Sequence, residues 1–235
     1  MWSGPRNIST ALMRSFGNRP DTYISDEPFY AYYLHRTNEN HPAKEKIIST
    51  GQTNWNLVVQ KLVGDIPNNK NIWYQKHMAH HNFPENNLDW IKEMENIILI
   101  RNPKDVIFSY IKKYKLKNSF QLGYTQQMQL YNILQDYNKC EPIIIDSEDL
   151  LENPKKILKK LCKKCNIPFY SKMLSWPKGT RETDGVWGEY WYKKVQNTTH
   201  FLPPIENNKS IPVKYEKIFL DCMQYYKKLY KQRMR

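Results

Sequence analysis

Long apolar runs are missing from this 235-residue chain, and none approaches the roughly eighteen residues that a membrane-spanning helix needs. Missing too is a basic N-terminal stretch followed by an apolar one, the mark of a secretory leader. The chain therefore reads as soluble and cytoplasmic, with no membrane partner. Cysteine is scarce: four residues, unevenly placed, are too few for a disulfide framework. Cys162 and Cys165 make one C-x-x-C without a second pair, which argues against zinc, and no metal is expected. At helical spacing Leu158, Leu161, Cys162 and Cys165 share a face, so these cysteines read as core. Acidic residues are in deficit, 23 against 36 Lys and Arg, for a net charge of +13. Such a balance suits nucleic acid or a small anionic ligand. The lysines, however, are scattered over many segments, as helical solvent faces and an A/T-rich coding bias would scatter them, so no nucleic-acid partner is expected. Internal repeats and long linkers are absent as well, which leaves a single domain over 1–235 as the simplest organisation.

What is present is an alternation of short β-branched runs with helical patterns. Met1–Ser3, Thr22–Ser25, Ile72–Gln75, Ile97–Ile100 and Ile143–Ile145 read as brief strands of a buried parallel sheet. Helices are predicted over Ser9–Phe16, Pro103–Leu116, Phe120–Tyr137 and Val213–Met234. Another starts with Asn153 as N-cap and Pro154 in the first helical position. Leu202–Pro212 reads as a loop. The pattern predicts an α/β fold, a central, mostly parallel sheet flanked by helices on both faces. Ligands bind such sheets at the carboxyl ends of the strands, so the polar segments after strands are the candidates for chemistry.

The first candidate is Gly4–Ala11. Against the nucleotide-triphosphate pattern G-x-x-x-x-G-K-[ST], the second glycine is Ser9, the lysine is Thr10 and the magnesium hydroxyl is Ala11, a poor fit to ATP with Mg²⁺. The remainder still suits an oxyanion: Arg6 brings a fork of donors, Ser9 and Thr10 bring hydroxyls, and the helix start brings amides. A capped helix beside a surface arginine accounts for it equally well. In the second candidate Arg101 ends a strand, Pro103 starts a helix, and Ser109 lies two turns on, so both can flank one phosphate. The plain alternative is a salt-bridged arginine and a helix-internal serine. Gln75–His81, directly after the third predicted strand, holds three histidines whose spacing matches no zinc set. Histidine as a general base suits it better. Glu27, after the second strand, is either a site carboxylate or a partner of Arg6 or Arg36. Lys178–Trp187 is a glycine-punctuated loop, and Trp187 and Trp191, four apart, either pack in the core or stack on a base.

Together these segments resemble the sulfotransferases that use 3′-phosphoadenosine 5′-phosphosulfate (PAPS). Pro5–Thr10 resembles their P-x-S-G-[ST]-[ST] loop, with Asn7-Ile8 where Ser-Gly is usual. Arg101–Ser109 matches their R-x-P-x-[DR]-x-x-x-S, and Asp146–Leu150 followed by Asn153-Pro154 resembles a further segment of these enzymes. More narrowly, WSGPRNIST, DEPFYA, YQKHMAHH and DGVW with the WY after it resemble a bacterial and plant sulfotransferase-like subgroup, in order along most of the chain. Relatives carry a full strand before the loop; either a first strand of three residues weakens the sheet centre here, or the true start lies upstream. The resemblance implies a P-loop nucleoside-triphosphate-hydrolase-like fold of the sulfotransferase type. It implies transfer of a sulfuryl group from PAPS as co-substrate to a hydroxyl or amine of a small-molecule acceptor, with no metal. It also implies that Arg6, Asn7, Ile8, Ser9, Thr10 and Ala11 hold the 5′-phosphosulfate, and Arg101 and Ser109 the 3′-phosphate, joined by Lys178 or Arg181. For the base it points to His77 first, with Glu27 as the rival and Lys76 polarising the bridging oxygen. An ATP phosphotransferase stays open, although ATP has no 3′-phosphate for Arg101 and Ser109. So does a non-catalytic nucleotide or nucleic-acid binder, which only the charge supports. Tyr30, Tyr32 and Tyr33 either line an acceptor pocket or fill a core.

Overall fold

The structure, a computed structural model, describes residues 1–136, 141–205 and 207–235. Five short strands, β1 (Trp2–Ser3), β2 (Thr22–Asp26), β3 (Ile72–Met78), β4 (Ile97–Ile100) and β5 (Ile143–Asp146), form one parallel sheet in the order β2-β3-β1-β4-β5. Helix α1 (Ser9–Gly17) follows β1. Helices α2 (Tyr30–Thr37), α3 (Lys44–Thr50) and α4 (Trp55–Leu62) lead from β2 to β3, and α5 (Pro103–Ile111) and α6 (Tyr124–Asp136) lead from β4 to β5. After the sheet come α7 (Ser147–Glu152), α8 (Pro154–Lys164), the short α9 (Gly188–Trp191) and α10 (Lys193–Gln196), and α11 (Glu216–Lys231). Among the described residues no helix is long and apolar enough to cross a membrane.

The central strands are apolar on both sides because both sides are covered. Ile98, Ile100 and Ile144 face one core with α4, α5, α6 and α11, while Leu99, Ile143 and Ile145 face another with α1 and α8. Each such side chain, fully buried, is worth about 1.5–3 kcal/mol. The first strand, only two residues long, is nevertheless the hub of the sheet: Trp2 pairs with His77 and Ile98, and Ser3 with Met78 and Leu99. Asn153 caps α8 by accepting from the Lys156 amide, with Pro154 in the first helical position as predicted. Leu158, Leu161 and Cys162 are buried on one face of that helix, and Cys165 packs at its edge.

Several boundaries differ from the sequence reading. Strand β3 runs three residues beyond Gln75, because Gln75 and Lys76 pair with Ser25 and Asp26 on β2 while His77 and Met78 pair with β1. These polar side chains are buried inside the sheet, which hid the end of the strand. Regular helix α5 stops at Ile111, short of Leu116. The pattern from Phe120 splits at Gly123, whose φ of 78° separates a 3₁₀ turn (Ser119–Leu122) from α6. The predicted end of that helix, Tyr137, lies outside the described residues. Helices α2 to α4 were not foreseen. Residues Tyr30 to Leu34 are all buried in succession, so α2 shows no apolar stripe against a polar face.

Gly4 is the residue on which loop and sheet close. A Cβ there would lie 2.3 Å from the Leu122 carbonyl oxygen, a backbone atom that cannot swing aside. Gly4→Ala should therefore cost about 1–3 kcal/mol, as overpacking does, and displace the loop. Chemical denaturation measures the cost, and an unchanged midpoint would show that the contact yields freely.

Candidate active site

Beyond Gly4 the chain enters α1 through two left-handed residues, Arg6 (φ 64°) and Ile8 (φ 59°). Ile8 stands where the resembled loop has glycine, and it adopts a conformation that suits glycine. For a β-branched residue this is strained, on the order of 1–3 kcal/mol. Anchors on both sides hold the strain in place. The Asn7 amide, buried, donates to the Leu99 carbonyl at 3.1 Å. Ser147 donates to the Asn7 carbonyl at 3.1 Å, and Arg101 Nη1 to the Arg6 carbonyl at 2.9 Å. The amides of Ala11 and Leu12 turn back to the Ile8 carbonyl, while those of Ser9 and Thr10 sit in the first turn, where a helix offers no acceptor. Two left-handed residues leading into a helix start leave an array of N–H groups suited to an anion.

The second motif converges on this loop. Because β1 and β4 are neighbours, Arg101, just past β4, lies beside Arg6, and Ser109 on α5 accepts from Arg6 Nε at 2.9 Å. Neither guanidinium belongs to a salt bridge among the described residues. Burial pushes the Arg6 pKa down; Tyr114 opposes the shift, and the Arg101 cation adds a smaller push downward. Two more cations stand close. Lys113, one turn beyond Ser109, is pushed down by burial and then by Arg6 and Lys193. Tyr114 meets Trp191 at 4.9 Å between ring centres, which carries the Lys193 segment to this side. Neither lysine was singled out in the sequence, where nothing distinguishes them from thirty-odd other cations.

A second buried centre lies at the ends of β2 and β3. Register sets Lys76 opposite Asp26, and its ammonium donates to Asp26 Oδ1 at 2.8 Å, Glu27 Oε1 at 2.5 Å and the Tyr192 hydroxyl at 2.8 Å. Tyr192 donates in turn to Asp26 Oδ2 at 2.7 Å and accepts from the Trp187 indole at 3.1 Å. Glu27 is left-handed (φ 46°), and its amide donates to the Lys76 carbonyl at 2.9 Å, so the strained residue is fixed at both ends. Two carboxylates against one ammonium leave this pocket one negative charge in excess. Accordingly burial pushes the Glu27 pKa up, with Asp26 adding to the rise and Lys76 opposing it. Burial alone would lower Lys76, but Asp26 and Glu27 outweigh it and hold its pKa above the ordinary value. All three ammonium N–H donors are thus spent, so none is left for a bridging oxygen. The structure gives Lys76 a positioning place rather than the polarising one first expected of it.

His77 was favoured as the base because it was read as following a strand end, and that premise fails. It lies inside β3, 3% exposed, stacked on Trp2 at 4.3 Å and ringed by Phe29 and Trp90. Its Nε2 meets Gln75 Oε1 at 3.2 Å, and it lines a cavity with Met1, Gln75 and Asn96 at the amino-terminal edge of the sheet, opposite the Arg6 loop. Burial, then the Met1 amine and Lys76, holds its pKa well below the ordinary value. His80 and His81 come after the strand, and the main chain there is nearer the loop: a side chain at Gly123 would meet the Gly4 Cα at 3.3 Å and the His80 amide nitrogen at 3.6 Å. His81 is stacked between Tyr30 and Tyr33, and burial followed by the neighbouring His41 lowers His80 to about 3.

Among the described residues, no contact brings Lys178 or Arg181 to the Arg6–Arg101 pair. Lys178 is exposed. The Arg181 guanidinium is turned onto its own loop, donating to the carbonyls of Thr180 and Pro177. What fixes the loop is a buried ion pair between Arg14 on α1 and Asp184, at 2.6 Å. Trp187 stands edge-on to Tyr30 and Trp191 to Tyr114, so both pack on aromatic rings. Among the described residues no group of three or more His, Cys, Asp or Glu is placed to hold a metal.

With this geometry in hand, similarity to known proteins can be set beside it. Residues 1–233 match the family model described as sulfotransferase domain. Two curated proteins of Arabidopsis thaliana, the branched-chain-amino-acid aminotransferase-like proteins 2 and 1, are 30% and 32% identical over 225 and 214 residues, which is 96% and 91% of this chain. The chain spans only 40% and 38% of their lengths. Among solved structures, a sulfotransferase from Alicyclobacillus acidocaldarius superposes with a TM-score of 0.57 at 12% identity, covering 100% of this chain and 95% of that one. The sulfotransferase domain of the Synechococcus PCC 7002 olefin synthase gives 0.51 at 15% identity, covering 97% and 92%. At such identities the structures speak for a shared, P-loop-like fold.

Proposed function

The chain belongs to the sulfotransferase domain family, and from that premise we propose that it moves a sulfuryl group from PAPS to a hydroxyl or amine of a small molecule. The observation that carries this reading is the pair Arg6 and Arg101, two guanidiniums without a carboxylate partner among the described residues, joined by Ser109 at the mouth of α1. The residues fit the nucleotide. First-turn amides, Ser9, Thr10 and Arg6 face the phosphosulfate, while Arg101 and Ser109, with Lys113 and Lys193 nearby, answer a 3′-phosphate. The acceptor oxygen attacks sulfur, the bond from sulfur to the 5′-phosphate oxygen breaks, and the leaving bisphosphate takes up charge that the Arg6 loop offsets. Glu27 takes the acceptor's proton, oriented by Lys76. Lys113 and Lys193 replace Lys178 and Arg181 in this scheme.

Adenosine 3′,5′-bisphosphate should raise the melting temperature, by about 2.7 kcal/mol of linkage at a hundredfold excess over its Kd, while AMP and ATP raise it far less. Arg101→Ala should remove that preference, since a charge-assisted hydrogen bond contributes about 1.5–3 kcal/mol. Equal shifts with all three nucleotides would rule out a 3′-phosphate site, and a larger one with ATP would favour a phosphotransferase.

A further inference from the structure

Between α6 and the segment after β3 lies a cleft of about 520 Å³ that none of the chemistry above uses. Its walls are rich in amides. Asn82 and Gln126, 5% and 2% exposed, line it, and Asn82 Nδ2 and Oδ1 and Gln126 Oε1 are buried without any hydrogen-bond partner. Asn86 Nδ2 is likewise unpartnered, while its Oδ1 accepts from Tyr32. Each such orphan costs about 1–3 kcal/mol, and natural proteins rarely leave several together without a use.

Chemistry and position narrow that use. We infer that this cleft binds an uncharged, polyhydroxylated acceptor, a sugar or cyclitol, and presents one of its hydroxyls to the sulfuryl donor; this rests on the transfer reaction proposed above. The orphaned atoms are two amide N–H₂ groups and two carbonyl oxygens. A carboxylate or phosphate would satisfy only the donors and an ammonium only the acceptors, whereas hydroxyls satisfy both. Among the described residues, the only charged ones lining it, Asp89 and Lys92, form an ion pair at 2.5 Å, so this described lining carries no net charge in a chain of net charge +13. Phe83 and Leu130 supply an apolar wall for the C–H face of a ring. One end of the cleft lies towards the loop. Gly123 and the His80 amide close on Gly4, and Gln126 is one helical turn beyond Gly123, about 5 Å along the axis. Asn82 is two residues beyond His80.

Binding can be read without turnover. Ligand-observed NMR on the protein saturated with adenosine 3′,5′-bisphosphate should show contact with maltose or myo-inositol and none with 4-nitrophenol or tyramine. Asn82→Leu should weaken that binding tenfold or more and, by removing orphaned atoms, raise the melting temperature; a merely structural amide would lower it. Gln129→Leu and Asn132→Leu, on exposed lining positions of α6 that do not threaten folding, should weaken it several-fold. The inference is overturned if no neutral polyol binds, if binding ignores all three substitutions, or if the phenol or amine is taken instead. A protein that binds the bisphosphate but no polyol retains the donor reading and loses this one. Polyol binding without any response to the bisphosphate does the reverse.

Discussion

Lys76→Met should destabilise the fold by about 3–5 kcal/mol, the largest stability effect expected of any single substitution in the site. The reason is what stays behind. Asp26 and Tyr192 are 1% exposed in side chain and 4% overall respectively, and Glu27 is nearly as enclosed, so removal of the ammonium leaves two carboxylates against each other away from water. Methionine fills much the same volume, which keeps a cavity from being the cause. The pH dependence then separates charge from packing. Glu27 is already raised by burial, and without Lys76 its folded pKa rises further above the unfolded value. A carboxyl raised on folding favours the native state at low pH and loses that contribution as pH climbs through the folded pKa. The deficit of the variant relative to the native protein should therefore shrink as pH falls from about 8 to about 5. Urea midpoints at several pH values measure it. A deficit under about 1 kcal/mol, flat with pH, would mean that water reaches the network and the three residues are an ordinary surface cluster.

The two centres of this protein were unequally legible in its sequence, for physical reasons. Arg101 and Ser109 sit on one strand end and the helix that follows, so their spacing survives as a local pattern. The same holds for Gly4–Ala11, where strand, turn and helix start are contiguous. Strands β4 and β5 declared themselves because every position is buried and all but the final Asp146 of β5 are apolar. The second half of strand β3 did not, since Gln75, Lys76 and His77 are polar residues buried inside the sheet, the first two bonded to the Leu62 carbonyl and to Asp26 and Glu27, the third stacked on Trp2. The Lys76 network is non-local by construction. Its carboxylates are 49 and 50 residues away and meet it only through parallel pairing of β2 with β3, and Tyr192 arrives from 116 residues on. A lysine and a tyrosine in isolation carry no mark of such a meeting. Misplacing the end of β3 had a direct consequence, because it set His77 at the edge of the sheet where chemistry is expected, while the fold puts it within.

Glu27→Gln should lower turnover by roughly 10²–10⁴ while adenosine 3′,5′-bisphosphate still binds, as loss of a general base does. The amide is nearly isosteric and can still accept from Lys76, and it leaves Asp26 and Lys76 as a neutral pair, so stability should be kept or improved. Loss of activity would then not be loss of fold. In the native enzyme, activity should rise with pH as Glu27 gives up its proton, with a midpoint above the usual glutamate range because burial favours the protonated form. His77→Phe is the matching control. The ring is stacked among Trp2, Phe29 and Trp90, faces the edge of the sheet opposite the Arg6 loop, and is held neutral by burial, so phenylalanine should preserve both packing and turnover. Comparison of kcat for the two variants, each corrected for folded fraction, decides between the residues. If His77→Phe loses turnover as Glu27→Gln was expected to, with nucleotide binding intact and Glu27→Gln near normal, the proton goes to the histidine and the assignment of Glu27 falls.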